Sequence, residues 1–401
     1  MPTRPIYLDN HATTRVDPRV LDAMLPYFTE EYGNAGSVGH RFGWEAAEAL
    51  ETARERVAAL LGAESREIVF TSGATEANNL AIRGALPALK RRGNHLVTTA
   101  IEHKSVLDPF KRLGREGWDV TVVPPDPDGV VPVGAIETVL TDRTVLVSVM
   151  AANNEIGTLQ PLADVGRLCR SREIPCHTDA TQAVGKVPLD VREVGVDLLS
   201  LSAHKLYGPK GIGALFVRRG GSHVRLTPLI DGGGQERGLR SGTVAVPLAV
   251  GLGEACAIAG AEREQESERL ESLRERLAAR LFAALDGVRI NGHPSARLPG
   301  NLNVSFAGVD GEALMVSLTA VAVSSGSACT SANPEPSHVL RAIGLDETLA
   351  RASLRFGIGR FNSVEDVDFA ADYVAGVVGR LRAGNREGIG ASRSLGIDPA
   401  L

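Results

Sequence analysis

Short apolar runs recur through the first half of the chain, at 67–70, 95–99, 120–123, 144–150, 175–177, 197–202 and 214–217, with polar or amphipathic stretches between them. Runs of this length bounded by turn residues predict buried strands. Their alternation with helical stretches predicts an α/β unit built on a mostly parallel sheet. One intervening stretch, 41–61, is rich in Ala, Leu, Glu and Arg and is followed by Gly62, a residue suited to end a helix. Another helix is expected over 75–83, directly after a strand and a small-residue turn. From about 247 to 285 the pattern is helical and becomes charged over 262–280, as suits a helix with a solvated face bridging two units. Beyond it, 301–306 and 352–356 read as strands and 363–381 as a closing helix, which gives a smaller α+β unit. The stretch 384–401 has little periodicity and is expected to be poorly ordered.

Length and charge sharpen this picture mainly by exclusion. At 401 residues the chain exceeds what one hydrophobic core usually organises, so two domains are expected, a large one over 16–260 and a small one made of 1–15 with 261–401. The net charge of −5 argues against gripping nucleic acid or an anionic membrane through the overall field, and favours a small-molecule substrate. The start of the sequence has no apolar signal core, and no stretch approaches a membrane span, so a cytoplasmic protein is expected. The cysteines, Cys169, Cys176, Cys256 and Cys329, form no CxxC pair that would suggest a zinc site or a redox dithiol, and no metal is expected. The first three suit the role of small buried hydrophobes.

The candidate chemistry collects at the ends of the predicted strands. Lys205 follows an apolar strand in Ser202-Ala203-His204-Lys205, where burial would free its amine to form a Schiff base with an aldehyde cofactor. Asp179 ends the neighbouring strand, placed to keep a pyridine nitrogen protonated so that the ring draws electrons from a carbanion. Ala74 and Thr75 open a helix after a strand, and backbone N–H groups there suit a phosphate, although neither a Walker loop nor a GxGxxG fingerprint is present. His103, beyond another strand, could stack on a planar ring or move protons at neutral pH, and Asn154 closes a further strand. Each has a plain structural alternative: a surface lysine, helix caps, a hydrogen-bonded histidine, a turn asparagine. Their succession at strand ends is what favours a cofactor site. Cys329 differs, standing in Ser324-Ser325-Gly326-Ser327-Ala328-Cys329-Thr330-Ser331, a small and hydroxyl-rich segment unsuited to a core, where a thiolate could attack sulfur.

Taken together, 71–76, 102–104, 153–157, 179–182, 204–211 and 240–243, with 324–331 as the most specific segment, resemble the group I cysteine desulfurases over nearly the whole chain, from Tyr7 to Gly357. The resemblance implies a fold-type I enzyme dependent on pyridoxal 5′-phosphate, with a mostly parallel seven-stranded sheet in its large domain and a homodimer whose active sites are completed across the interface. By the same resemblance Lys205 carries the cofactor, Asp179 pairs with the pyridine nitrogen and His103 stacks on the ring. Thr75, Ser202 and His204 hold the phosphate, with Thr243 supplied by the partner subunit, and Ala74 is a further cofactor-binding residue. Gln182 and Asn154 reach the phenolate oxygen, and Arg355 with Asn34 binds the substrate carboxylate. Lys205, His103 and Cys329 are the implied catalytic residues, converting L-cysteine to L-alanine while sulfur passes to Cys329 as a persulfide, destined for an acceptor such as an iron–sulfur scaffold or a tRNA-thiolation pathway. The chain departs from many relatives at Ala203, in place of Gly, and at Asn10-His11, in place of Tyr-Ser. Its tail does not resemble the one through which some relatives dock a scaffold. Selenocysteine or cysteine sulfinate as substrate, and an aminotransferase or β-lyase of the same fold, stay open as alternatives.

Overall fold

The computed structural model describes residues 4–220, 224–325 and 336–394. After a short strand β1 (Ile6–Tyr7), the chain builds β2 (Ile68–Thr71), β3 (His95–Thr99), β4 (Asp119–Val123), β5 (Thr144–Ser148), β6 (Cys176–Asp179), β7 (Leu198–Ser202) and β8 (Gly213–Val217). These last seven form one sheet in the order β2-β8-β7-β6-β5-β3-β4, in which β8 alone runs against the others. The mostly parallel seven-stranded sheet is therefore present. Successive side chains of a strand face opposite sides, and the strands are apolar on both: Val69, Leu96, Leu198 and Leu215 pack into one core, while Phe70, Val97, Leu199 and Phe216 pack into another. A sheet covered on both faces is what the continuous apolar runs require.

Strand limits differ from the sequence pattern by a residue or two. At β6 the ladder extends past the apolar run to Thr178 and Asp179, because the strand's end serves the cavity described below and not the core. Helix Arg41–Leu61 ends as its sequence indicates: Gly62 adopts φ 67°, and its N–H donates to the Ala58 and Ala59 carbonyls.

The second half of the chain forms an antiparallel sheet, β9 (Val288–Asn291), β10 (Asn301–Phe306) and β12 (Ser353–Gly357), in the order β12-β10-β9, and β11 (Val321–Ala322), which pairs with β1. Its core joins Leu302, Val304, Leu354 and Phe356 to Val367, Val374 and Val378 of the closing helix. Helix Val246–Ala284 spans both regions, burying Leu252 and Cys256 in the first and Leu273 and Leu277 in the second. The closing helix, Val364–Ser394, extends beyond the predicted end at 381. The strands β1 and β11 escaped the sequence pattern because each has two residues, and β9 because polar Arg289 and Asn291 break up its apolar run.

Candidate active site

Strands β2 to β7 all point their carboxyl ends toward one edge of the sheet, where ligands of open α/β sheets bind. The residues just beyond them line a cavity of about 1010 Å³. Lys205 ends the turn Ala203–Lys205 after β7, and its Nζ donates to the carbonyls of His11 (2.5 Å) and Ala12 (2.6 Å). Burial, then the Lys186 ammonium, then the Arg355 guanidinium push its pKa down to about 7, against the opposing pull of Asp9 and Asp179. Near neutral pH a large share of this amine is unprotonated and nucleophilic.

Asp179, at the tip of β6, is nearly buried. Its Oδ2 accepts from Asn78 Nδ2 (2.8 Å) and its Oδ1 from the Thr181 N–H (3.0 Å). Asn78 Nδ2 also donates to Ser105 Oγ (2.8 Å), which lies 2.8 Å from His103 Nδ1. The Ser105 backbone N–H reaches the same Nδ1 (3.1 Å). A backbone N–H only donates, so Nδ1 is the acceptor and the neutral ring carries its proton on Nε2. Burial lowers the His103 pKa, which keeps the imidazole neutral at pH 7. Asn78 and Ser105 were not singled out in the sequence; a wholly buried polar residue on the apolar face of helix Ala74–Leu89 was the available signal for Asn78.

Helix Ala74–Leu89 opens at the cavity with no side-chain cap. Gly73 precedes it at φ 151°, and a Cβ there would meet nothing nearer than Ser202 Oγ at 3.9 Å, so glycine leaves open a space faced by uncapped first-turn N–H groups. Thr75, Ser202 and His204 line the same cavity. His204 pairs with Thr13 Oγ1 (3.2 Å) through Nδ1, and burial with Lys205, Lys210 and Lys186 nearby pushes its pKa down to about 4. Uncapped N–H groups, hydroxyls and a neutral imidazole make a set of anion donors, and with Lys205 and Asp179 beside them they fit a phosphorylated pyridine aldehyde.

The other expected residues divide. Asn154 lines the cavity, and its carbonyl accepts from Arg355 Nη1 (2.9 Å). Arg355 also lines it, with Nη2 on Asp9 Oδ1 (2.6 Å) and a buried Nε that has no hydrogen-bond partner among the described residues. Gln182 is engaged on the near side: Nε2 donates to the His11 carbonyl (2.9 Å), and Oε1 accepts from Lys186 Nζ (3.1 Å) and faces His11 Nδ1 (3.0 Å). Asn34 and Thr243 are exposed and do not line the cavity of their own chain. Cys329 lies outside the described residues. Where the chain resumes, Ser337 caps helix His338–Ala342 and donates its hydroxyl to Glu155 Oε2, while His338 Nε2 approaches the Glu102 carbonyl (3.0 Å). Burial raises Glu155 to about 7 and Glu102 to about 8.

The sequence profile of the aminotransferase class-V family matches residues 6–369. The chain is 55% identical over 378 residues to a cysteine desulfurase IscS of Anaeromyxobacter dehalogenans, covering 94% of this chain and 93% of that one. It is 53% identical to a human cysteine desulfurase, covering 94% and 83% respectively. Among solved structures, a NifS-like protein superposes with a TM-score of 0.87 at 40% identity, covering 94% of this chain and 100% of that one. A structure of SspA in complex with cysteine superposes with a TM-score of 0.78 at 39% identity, over 89% and 100%. The chain belongs to the aminotransferase class-V family and, within it, to the cysteine desulfurases.

Proposed function

We propose that this protein converts L-cysteine to L-alanine with pyridoxal 5′-phosphate held on Lys205, and passes the sulfur to Cys329. The observation that carries the reading is the Lys205 amine, depressed to about 7 and lining one cavity with an uncapped helix N-terminus and the Asp179 carboxylate. When bound, the cofactor supplies an electron sink for the carbanion left at the substrate Cα. The chain's own residues then have separable tasks. Asp179, held by Asn78 and Thr181, keeps a carboxylate facing the ring-nitrogen position. Lys205 takes a proton from the substrate Cα and returns one later, a role that needs a pKa near the working pH. His103 presents its Nε2–H to the substrate thiol. Arg355 binds the substrate carboxylate in a cavity that Lys104, Lys210 and Arg341 also line. The Cys329 thiolate attacks the substrate sulfur, the carbon–sulfur bond breaks, and the sum is one thiol and one cysteine giving one persulfide and one alanine.

The same reading takes the protein as a homodimer. Asn34 and Thr243 need a second copy to reach a cavity, and the surface beside Asn34 exposes Tyr32, Val38 and Trp44, at 64%, 85% and 60%. A persulfide must leave for a sulfur-acceptor protein, which is the partner we assign. No helix among the described residues is long and apolar enough to cross a membrane, and we place the protein in the cytoplasm. The test is Cys329→Ala. Alanine formation from cysteine should stop, and the persulfide detected by alkylation and mass spectrometry should vanish. Undiminished turnover would assign the protein to the β-lyases instead.

A further inference from the structure

Behind Lys205, away from the large cavity, lies a second space of about 30 Å³, enough for one water. Lys205 and Lys186 both line it, with His11, Glu266 and Arg360. Lys186 Nζ donates to Gln182 Oε1 (3.1 Å), Gln182 Nε2 donates to the His11 carbonyl (2.9 Å), and that carbonyl accepts from Lys205 Nζ (2.5 Å). One amide and one carbonyl thus join two amines, and no carboxylate takes part in the chain. Glu266, the carboxylate that favours the charged form of Lys186, is itself held by Arg360 at 2.7 Å.

We propose that Lys186 is a positioning residue for Lys205: its ammonium, fixed by the Gln182 carbonyl, repels positive charge from the Lys205 amine and keeps that amine available as nucleophile and base. This rests on Lys205 being the cofactor amine. Two cations, Lys186 and Arg355, and two carboxylates, Asp9 and Asp179, are close enough to matter. Arg355 is engaged by Asp9 at 2.6 Å, and Asp179 is committed to Asn78 and Thr181, so Lys186 is the cation whose field is least cancelled. His11 and His204 also face Lys205, and both are held neutral at pH 7 by burial. Burial brings Lys186 itself down to about 8, above the value of about 7 for Lys205. The proposal requires Lys205 to lose its proton first, leaving a charged Lys186 beside a neutral amine.

The test uses the full-length protein stripped of carbonyl compounds with hydroxylamine. Trace acetic anhydride is applied across the neutral and alkaline range, and acetylation of each lysine is followed by peptide mass spectrometry. In Lys186→Gln and Lys186→Met the half-reactivity pH of Lys205 should rise by about one unit, and in Lys186→Arg it should stay low. A folded Gln or Met variant with an unmoved midpoint overturns the proposal while leaving the cofactor reading intact. A wild-type Lys205 that titrates like an ordinary lysine overturns both. The wild type alone supplies a further check, because Lys186 becoming reactive at lower pH than Lys205 would also overturn the proposal.

Discussion

Two clusters of buried charge in this molecule are built on opposite plans. Behind β2, Arg54 and Glu236 close on each other through two hydrogen bonds of 2.7 and 2.9 Å. Arg54 Nε also donates to Glu51 Oε2 (3.1 Å), further bonds go to the Ile68 carbonyl (2.9 Å) and from the Phe70 N–H (2.8 Å), and the guanidinium lies over the Phe70 ring. At the strand tips, by contrast, Lys205, Lys186 and Arg355 crowd together, and His11 Nε2, Glu102 Oε2 and Arg355 Nε are buried with no hydrogen-bond partner among the described residues. A charge pair serving only the fold is satisfied within the fold. A cluster serving chemistry keeps groups unsatisfied, at a cost in stability, for a ligand to complete.

Mutations should separate the two plans. Lys205→Ala should lower cysteine turnover by about 10³-fold or more while leaving the denaturation midpoint equal or higher, since it removes a crowded cation. Steady-state kinetics with urea unfolding checks both halves. Arg54→Met should do the reverse. An unpaired Glu236 carboxylate should cost about 3–5 kcal/mol of unfolding free energy, with turnover per folded molecule nearly unchanged. Adding Glu236→Leu should recover much of that loss.

His103→Gln should lower kcat by about 10²-fold. Because burial holds His103 below the ordinary imidazole value, the wild type should keep full activity to a more acidic pH than a free imidazole would allow. A pH–rate profile whose acid limb sits above the ordinary value would count against neutral His103 as the hydrogen-bond donor to the substrate sulfur.

Glu102 gives the smallest effect, one of stability. Its ordinary value is 4.5 and the folded value about 8, so between these the folded chain holds a proton that the unfolded chain has released. Stability from this group is therefore highest below 4.5 and declines as pH rises toward 8. Glu102→Gln should be close to neutral in acid and stabilising at pH 8, as read from denaturation midpoints at the two values.

What the sequence revealed follows the same division. Lys205, Asp179, His103 and Thr75 were legible because each stands just past an apolar strand, and a parallel sheet gathers such positions at one edge. The doubly apolar strands of the large sheet were legible for the same reason. The pairing of Asn78 with Asp179, and the path from Lys186 through Gln182 and His11 to Lys205, depend on contacts between residues far apart in sequence, which no local pattern encodes. Asn34 shows the limit most plainly, for residue type alone cannot say that a side chain does not line the cavity of its own chain.

The central claim is that one amine, on Lys205, carries the cofactor. Reducing the protein as purified with borohydride, then digesting it, should leave a phosphopyridoxyl group on the Lys205 peptide and none on the Lys186 peptide. A label found on Lys186, or on no lysine of the chain after saturation with pyridoxal 5′-phosphate, would contradict the account.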